Sequence, residues 1–434
     1  GFPAAQDHFD THLKEQLLFH GWIILAPQIS QHIYVLLPPS KRVDGGWDMN
    51  DIEAVLVKYV DDCRWLARND EIADRIATEL ETVYGKFRDI LKSVGKMLGK
   101  EYTIYRGLDG PGTSRSIMGM EATEKKYVND GVAFFEAKLG PWKRAAPKTP
   151  LKPPESFALS IPPKTGVNVV SAPQGEHVGR LGWLAGKSRP ELAEPYRMFA
   201  SRLQHWSNDL DQELYRVFIW IQNNPKEMHN FLNTHDLKGA VPSGRSDYPI
   251  AHRWLRLCMF TDANHDHKSI CGYLVVLQGA WGSKILIKWR NTSTPMTSTS
   301  STYSELEALY FGTCDFLPIW EVICLLLASH VEAEVYVDSS ACLTIVCNGH
   351  SKGMLWLEGA DRALHTGDEI LPTGLHLATT KGRVLKIQWL HEIIARHLKH
   401  TSSESMRADA LTKQLPAPAF EWHLWASFQL RPAG

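Results

Sequence analysis

The sequence lacks an excess of charge of either sign. It contains 47 lysine and arginine residues against 48 aspartate and glutamate residues, which gives a formal net charge of −1. A protein that binds nucleic acid usually carries a clustered basic surface, so this composition argues mildly against that class of partner. A local basic groove remains compatible with it, because the effect depends on how the charges cluster rather than on their sum.

Cysteine is scarce, and its spacing forms no motif. The seven cysteines are odd in number, and no two of them have C-x-x-C spacing. The 19 histidines are scattered and show no structural-zinc spacing with cysteine. The pattern argues against a disulfide framework and predicts the buried, reduced thiols of an intracellular protein at Cys63, Cys258, Cys271, Cys314, Cys324, Cys342 and Cys347.

Long hydrophobic runs are also missing. The longest run, Leu317–Ala328, is interrupted by Glu321 and is too short to span a bilayer, so it predicts a core helix. No secretory signal peptide is evident, and we expect no membrane partner. With 434 residues, of which 44% are hydrophobic, the chain is long enough for two or three domains with cores of their own.

Hydrophobic patterns and composition divide the chain into four ranges. Residues 1–140 mix helical and strand patterns, residues 141–175 are rich in Pro, Lys and Ser and predict a linker or long loop, and residues 176–248 are mainly helical. Residues 249–434 predict three strands, a helix, a strand, a helix, a short strand and a final helix. The predicted fold class is α/β and α+β, with a mixed sheet and flanking helices in the last range.

Individual elements can be predicted from periodicity. The expected strands are residues 33–37, 54–60, 257–262, 272–277, 285–289, 334–338 and 396–400. The expected helices are residues 9–21, 71–91, 302–327 in one or two pieces, 340–348, and one that begins near Ser403. The glycine-rich stretch 349–386 predicts irregular structure.

Four acidic residues in the last range lie at positions that suit a metal site. Asp262 and Asp338 end otherwise apolar strands, Glu305 lies one turn into a helix, and Asp409 lies on the last helix. Several acids brought together repel one another unless cations lie between them. Magnesium prefers such hard oxygen ligands, and two such ions can activate water and stabilise the leaving oxygen of a phosphodiester. Each acid taken alone has a simpler interpretation, because an Asp at a strand end is often a helix N-cap or a turn residue.

Short motifs surround these acids and follow one another in a defined order along the chain. They are TDAN at Thr261–Asn264, CGY at Cys271–Tyr273, SSTYSE at Ser300–Glu305, YVDSSA at Tyr336–Ala341 and ADALTK at Ala408–Lys413. In order and spacing, this set resembles the RNase H domain of copia-type (pseudovirus-type) LTR retrotransposons. The resemblance implies an RNase H-like fold in which Asp262, Glu305, Asp338 and Asp409 bind two Mg²⁺ ions, for which Mn²⁺ can substitute. It also implies hydrolysis of the RNA strand of RNA/DNA hybrids.

Two assignments within this resemblance have competitors. Glu307 lies two residues after Glu305 and is the alternative acid on the same helix. Some RNase H enzymes use a mobile histidine near the last Asp, and His400 is roughly placed for that role, with His397 and His391 as alternatives. For His400 we favour a structural surface histidine.

The first half has one sharp motif, KYVDDCRW, which places Asp61 and Asp62 after a β-rich run. Adjacent acids at the tip of a hairpin suit a polymerase site that holds magnesium, and a plain turn is the alternative. The flanking segments resemble the copia-type reverse transcriptase in order; they are residues 1–22, 96–102, 120–128, 178–192 and 205–224. The resemblance therefore implies a reverse-transcriptase palm in 1–140, a thumb or connection region in 176–248 and an RNase H-like domain in 249–434.

The palm departs from the pattern of a complete polymerase. A reverse transcriptase needs a third carboxylate from an earlier palm strand, which would lie before Gly1. We therefore expect a truncated palm, in which Asp61 and Asp62 are the remaining polymerase acids and which does not polymerise DNA by itself. Cys63, Arg64 and Trp65 also replace residues that are usually apolar in the family.

The expected partners follow from the resemblance. They are an RNA/DNA hybrid, template-primer nucleic acid and the remainder of the Pol polyprotein, in an intracellular setting that is cytoplasmic (a virus-like particle) or nuclear. Ser298–Ser304 is a candidate for contacts to the hybrid, and a helix N-cap is the alternative. For Trp281 and Trp289 we expect a role in packing rather than in base stacking. Four lysines are groove candidates or solvated surface: Lys96, Lys100, Lys125 and Lys126. The alternative function is a catalytically inactive retroelement relic that retains at most nucleic-acid binding.

Overall fold

Two β-sheets with helices packed on them form the described part of this mixed α/β protein. The computed structural model describes residues 3–42, 47, 51–59, 62–85, 94–97, 100–107, 113–119, 122–152, 170–238, 255–265, 269–294, 300–327, 330–350 and 386–432. The smaller sheet has four strands in chain order, and the larger one joins strands that are far apart in sequence.

The smaller sheet is an antiparallel meander. Its strands are β1 (Trp22–Ala26), β2 (Ser30–Leu36), β3 (Ala54–Tyr59) and β4 (Asp62–Ala67), and its helices are α1 (Pro3–Phe19), α2 (Pro39–Arg42) and α3 (Asp70–Tyr84). Leu13 and Leu17 of α1 share a core with the sheet and with Ile76 and Leu80 of α3. Each pair is four residues apart, which places both side chains on one face of its helix. The predicted elements of this region are confirmed in the described residues, except that the helix expected at 71–91 ends at Tyr84, where Gly85 caps it.

The larger sheet contains β5 (Val94–Met97), β6 (Lys100–Arg106), β7 (Thr113–Gly119), β8 (Lys226–Asn233), β9 (Leu255–Asn264), β10 (Ile270–Gly279), β11 (Lys284–Ser293), β12 (Glu332–Val337), β13 (Leu398–His400) and β14 (Leu430–Pro432). Its order is β13-β12-β9-β10-β11-β8-β7-β6-β5, and β14 pairs with β8. The strands β9, β10 and β11 are antiparallel neighbours, whereas β12 and β13 are parallel to β9. The predicted meander and the strand that follows it are confirmed.

Helices cover both faces of this sheet. They are α4 (Ala122–Leu139), α5 (Ala172–Lys187), α6 (Ala193–Ala200), α7 (Asn208–Asn223), α8 (Thr234–Lys238), α9 (Ser301–Leu326), α10 (Ser340–Asn348), α11 (residues 386–394), α12 (Asp409–Thr412) and α13 (Ala417–Ala426). The helix predicted at 340–348 is confirmed at both ends. Ser339 provides its N-cap, and Gly349, at φ +71°, ends it in the left-handed conformation that glycine adopts without strain.

Side chains of β9 alternate between two cores, as the pleat of a strand requires. Leu257 and Met259 face a cluster formed with α9, α10 and α11. Cys258 and Phe260 face a second cluster, which contains residues of α5, α6, α7 and α13. Both faces of the sheet are therefore covered at β9, one by α9, α10 and α11 and the other by α5, α6, α7 and α13.

The second cluster runs across the predicted domain ranges. It contains Phe135, Leu151, Leu214 and Leu274, one from each of the four ranges. Residues 141–152 of the predicted linker are also held in place, because Arg216 donates a hydrogen bond of 2.7 Å to the carbonyl of Pro150. The four ranges therefore stay a prediction.

Helix α9 is a single helix of 26 residues that contains Pro318. By length and composition, it is the one helix in the described part of the chain that could cross a membrane. Its first half packs on the sheet, where a side chain at Gly312 would lie 2.9 Å from Met259 Sδ. The first half therefore packs as a core helix does. The run predicted to be a core helix, Leu317–Ala328, lies in the second half, where residues 317–327 are half-buried or exposed, so its helix is confirmed but its full burial is not.

Three local predictions differ from the structure. Residues 226–233, expected to be helical, form β8, because they pair with β7 and β14. The helix expected near Ser403 is only a 3₁₀ turn, and regular helix follows at 409–412 and 417–426. The strand expected at 396–400 is limited to β13, because residues 395–397 form a 3₁₀ turn.

All seven cysteines are free thiols, as predicted. Their burial is less uniform than expected, because Cys314 and Cys347 are exposed while Cys258, Cys271 and Cys342 are buried. Burial raises the pKa of the Cys258 thiol to about 12, so this group stays protonated at neutral pH.

Candidate metal centre

Two neighbouring parallel strands bring the first two acids together. Asp262 lies near the carboxyl end of β9, and Asp338 directly follows β12, its parallel neighbour. The carboxyl ends of parallel strands lie at the same edge of a sheet, so the two side chains meet there. Oxygen atoms of Asp262, Asp338 and Asp409 all lie within 4.8 Å of one another.

Asp409 reaches this edge because the chain around α12 lies directly on β10. Gly272 pairs with Asp262 in the sheet register, and a side chain at Gly272 would lie 2.6 Å from Thr412 Cγ2 and 3.0 Å from Leu411 Cβ. The missing side chain therefore allows α12 to approach the sheet. The Thr412 hydroxyl then donates a hydrogen bond to Asp262 Oδ2.

Replacing Gly272 with Ala should push α12 and Asp409 away from Asp262. We expect a loss of about 1–3 kcal/mol of stability, the usual cost of extra volume in a packed site. Thermal unfolding would measure it, and Gly186→Ala on α5 is the matched control, because a side chain there meets nothing within 4 Å. Equal melting temperatures for Gly272→Ala and the wild type would contradict this account of the approach.

Glu305, on the first turns of α9, is the fourth acid that faces this edge. It is 8% exposed, and its Oε1 accepts a hydrogen bond of 3.3 Å from the backbone N–H of Ala263, the residue after Asp262. Within the described residues, its Oε2 atom is buried without a hydrogen-bond partner. Burial, followed by the charges of Asp262 and Asp338, raises the pKa of Glu305 to about 9.

Glu307, the competing acid of α9, lies in another environment. It accepts hydrogen bonds of 2.6 Å from the hydroxyl of Tyr303 and of 2.7 Å from the ammonium of Lys386. Lys386 belongs to α11, so this pair ties α9 to α11 on the face of the sheet that both helices cover. The structure therefore brings Glu305, and not Glu307, to the three aspartates.

Asp338 has partners that exclude its simpler interpretation as an N-cap. The N-cap of α10 is Ser339, whose hydroxyl accepts a hydrogen bond of 3.2 Å from the N–H of Cys342. The carboxylate of Asp338 accepts a hydrogen bond of 2.9 Å from Ser403, which lies on the exposed turn after β13. The carboxylate of Asp338 is thus held by a residue 65 positions further along the chain.

A lysine stands between two of the acids. Lys413 Nζ lies 3.1 Å from Asp262 Oδ1 and 2.8 Å from Asp409 Oδ1. Burial disfavours its charge, but the charge of Asp262 and the hydrogen bond to Asp409 outweigh burial and raise the pKa of Lys413. Burial also raises the pKa of Asp262, and burial together with the charge of Asp262 raises the pKa of Asp409 to about 6.

The three candidate histidines all contact backbone carbonyls. His400 Nε2 lies 3.0 Å from the carbonyl oxygen of Asp338, His397 Nδ1 lies 3.1 Å from that of Ala333, and His391 Nδ1 lies 2.9 Å from that of Val346. Of the three, His400 lies beside the acid cluster, and it is exposed. The predicted surface position of His400 is confirmed.

The polymerase motif can be followed only in its backbone. Tyr59 of β3 pairs with Asp62 of β4, so the predicted hairpin is confirmed. Asp61 and the side chain of Asp62 lie outside the described residues. Their role stays a prediction.

The candidate nucleic-acid contacts have mixed environments. Ser300 caps α9, accepting a hydrogen bond of 3.2 Å from Tyr303 N–H, while residues 295–299 lie outside the described part. Trp289 donates a hydrogen bond of 2.7 Å to the carbonyl of Ala185, and the Trp281 ring contacts that of His235, so both are packing residues as predicted. Lys125 and Lys126 are exposed, and the side chains of Lys96 and Lys100 lie outside the described residues.

Sequence reasoning missed the residues that support the acids. Gly272, Ser403, Thr412 and Lys413 were assigned no role, although three of them lie within the quoted motifs. The sequence signal that could have pointed to two of them is the Thr412–Lys413 pair at the end of the ADALTK motif. Their function depends on a partner about 150 positions away in the chain, which no local pattern reveals.

The donor set fits a hard divalent cation. All four acids offer carboxylate oxygens, the ligand type that Mg²⁺ prefers. Three of them converge within 4.8 Å. The fourth carries the buried Oε2 atom, which has no partner in the described part of the chain and which a bound cation or its water would satisfy. Asp262, Glu305, Asp338 and Asp409 are therefore the residues that could hold such an ion.

Comparisons with known proteins were made by sequence and by structure. No protein-family model and no curated protein matches the chain. Among solved structures, RNase H1 from the halophilic archaeon Halobacterium salinarum NRC-1 is 15% identical, covering 36% of this chain and 93% of its own, with a TM-score of 0.19. LC11-RNase H1 in complex with an RNA/DNA hybrid is 18% identical, covering 36% of this chain and 92% of its own, with a TM-score of 0.20.

One viral protein is also similar over a longer range. The prototype foamy virus protease–reverse transcriptase is 8% identical, covering 86% of this chain and 59% of its own, with a TM-score of 0.20. These values establish no membership of a family. The sheet and the acids described above are therefore the basis of the functional proposal.

Proposed function

We propose that this chain is a metal-dependent nuclease of the RNase H type that hydrolyses the RNA strand of an RNA/DNA hybrid. The single observation that carries the proposal is the convergence of Asp262, Asp338 and Asp409 within 4.8 Å, with Glu305 buried beside them. Four acids at one sheet edge are costly to assemble without a cation. Such a cost is tolerated where the charge is used for chemistry.

The chemistry follows from the donor set. Bound Mg²⁺ would supply a Lewis acid that lowers the pKa of a water and stabilises the departing oxygen of a phosphodiester. The chain's own contribution is to hold the oxygen ligands in place. Thr412 fixes Asp262, Ser403 fixes Asp338, and the backbone of Ala263 fixes Glu305. The preference for a hybrid would require contacts to the 2′-hydroxyls of the RNA strand.

The proposed origin is the C-terminal part of a copia-type reverse transcriptase followed by its RNase H domain. The ordered motifs from TDAN to ADALTK support it, because four of them carry the acids of the cluster. The confirmed hairpin between β3 and β4 agrees with the YVDD motif. The remainder of a Pol polyprotein and template-primer nucleic acid are the partners that this origin implies, in an intracellular setting.

The test is a cleavage assay with the full chain. We expect Mg²⁺-dependent cleavage of the RNA strand in an RNA/DNA hybrid, with no cleavage of the DNA strand or of a DNA duplex. EDTA should abolish the reaction, and Mn²⁺ should support it. Asp338→Asn is the control variant: its cleavage should fall about 100- to 1000-fold, the scale expected when transition-state charge stabilisation is lost.

The outcomes separate the alternatives. A folded wild-type protein that leaves the hybrid intact would exclude the enzyme and favour an inactive relic. Equal cleavage by the wild type and by Asp338→Asn would show that the activity arises elsewhere. Cleavage of single-stranded RNA at the same rate as the hybrid would replace the proposed substrate with RNA in general.

A further inference from the structure

Lys413 already contacts the carboxylate oxygen atoms that a metal ion would bind. Its ammonium lies 3.1 Å from Asp262 Oδ1 and 2.8 Å from Asp409 Oδ1, and its side chain is 35% exposed. The other oxygen of Asp262 accepts a hydrogen bond from Thr412. Both oxygens of Asp262 therefore have a donor, whereas Glu305 Oε2 has none among the described residues.

An ammonium and a divalent cation compete for the same carboxylate oxygens. A lysine presents a compact positive charge on a flexible stem, so it can leave its position without unfolding the backbone. Asp409 and Lys413 are four residues apart on consecutive turns, and the lysine is the last residue before an irregular segment. Movement of this side chain is therefore easier than movement of Asp262, which is fully buried in β9.

We propose that Lys413 is an internal counter-cation of the acidic cluster. It holds Asp262 and Asp409 together when no divalent cation is bound, and it gives way when one binds at these two acids. Lys413 thus lowers the affinity of this part of the site for Mg²⁺ and keeps the cluster folded in its absence. The inference rests on the proposed function in one respect, namely that the acids bind a divalent cation.

The experiment compares Lys413→Met with the wild type in the full chain. Isothermal titration with Mg²⁺ alone at pH 8 measures affinity, and thermal unfolding in EDTA and in saturating Mg²⁺ measures stability. For Lys413→Met we expect a Kd lower by about tenfold, since removing one nearby positive charge is worth at least about 1.4 kcal/mol. We also expect a lower melting temperature in EDTA and a larger rise on adding Mg²⁺.

Lys386→Met is the matched control, because Lys386 makes a comparable bond of 2.7 Å to the buried Glu307 outside the cluster. It should lose stability equally in EDTA and in Mg²⁺, with the Mg²⁺ affinity unchanged. A merely structural role for Lys413 would give the same pattern in Lys413→Met. That pattern, or a weaker affinity for Mg²⁺ in Lys413→Met, would overturn the proposal.

A second variant keeps the test decisive if Lys413→Met does not fold. Lys413→Arg retains the charge and can bond both acids at once, so it should bind Mg²⁺ no more tightly than the wild type. Tighter binding by Lys413→Arg would overturn the proposal. Failure of the proposed function appears in a different measurement, because a wild type that binds Mg²⁺ but leaves the hybrid intact refutes the activity and not the competition.

Discussion

Glu305→Gln should cleave the hybrid about 100- to 1000-fold more slowly than the wild type and yet be more stable than the wild type at pH 8. The loss follows because the glutamine amide cannot supply the carboxylate oxygen that a divalent cation would bind beside the three aspartates. The gain follows because the folded protein holds Glu305 in its protonated form, with a pKa of about 9 against an ordinary value of 4.5. Glutamine has nearly the shape of that neutral acid.

The direction of the pH dependence follows from this shift. A carboxyl with a raised pKa binds its proton more tightly in the folded state, so its contribution to stability falls as the pH rises from about 4.5 towards about 9. Glu305→Gln removes this decline. One pKa unit corresponds to about 1.4 kcal/mol, so a gain of at least about 1 kcal/mol at pH 8 is expected in metal-free buffer.

The matched control is Glu307→Gln, two residues further along the same helix. Glu307 is bonded to Tyr303 and Lys386, so its replacement should lower stability and leave Mg²⁺ binding intact. Denaturant unfolding between pH 5 and pH 9 would measure both variants. If Glu305→Gln keeps the wild-type decline with pH, or if Glu307→Gln is the variant that loses cleavage, the assignment of the two acids is wrong.

A fragment of residues 249–434 should not reach the native fold on its own. The cluster on the face of the sheet formed by Cys258, Phe260, Leu274 and Val276 contains residues of α4 to α7, which all precede residue 249, besides residues of α12 and α13. Each buried apolar side chain of this size is worth about 1.5–3 kcal/mol, so exposing several of them exceeds the net stability of about 5–15 kcal/mol of a typical domain.

The comparison fragment is residues 122–434, which retains α4 to α7 and the cluster that they share with the sheet. We expect cooperative thermal unfolding for 122–434 and no cooperative transition for 249–434, measured by near-UV circular dichroism and calorimetry. A sharp transition for 249–434 would show that the predicted last range is an independent domain. The result also decides which fragment is suitable for the cleavage assay.

Much of the site could be predicted because each acid is marked locally. Asp262 and Asp338 follow runs of apolar residues that must be strands, and the end of a strand is set by the residues next to it. The two are neighbours because a parallel β12 beside β9 brings both carboxyl ends to one edge. The structure brings all four predicted acids to that edge, while their role in binding a metal stays a prediction.

The choice between Glu305 and Glu307 could not be made from the sequence. Both lie on the same helix and both are buried. Helical periodicity turns one side chain about 200° around the helix axis from the other, but it does not say which of the two directions leads to the aspartates. Only the packing of α9 between β9 and α11 decides that Glu305 meets the aspartates and Glu307 meets Lys386.

The sequence by itself determined the elements that depend on neighbouring residues: the meander β9 to β11, the helix α10 with its serine N-cap, and the positions of the four acids. The tertiary structure alone decided the strand β8, the core shared across the predicted ranges, and the contacts of Lys413 and Thr412. The physical reason is the sequence separation over which each interaction acts. Capping and periodicity act over a few residues, whereas Thr412 and Asp262 are 150 positions apart and meet only because Gly272 leaves room between them.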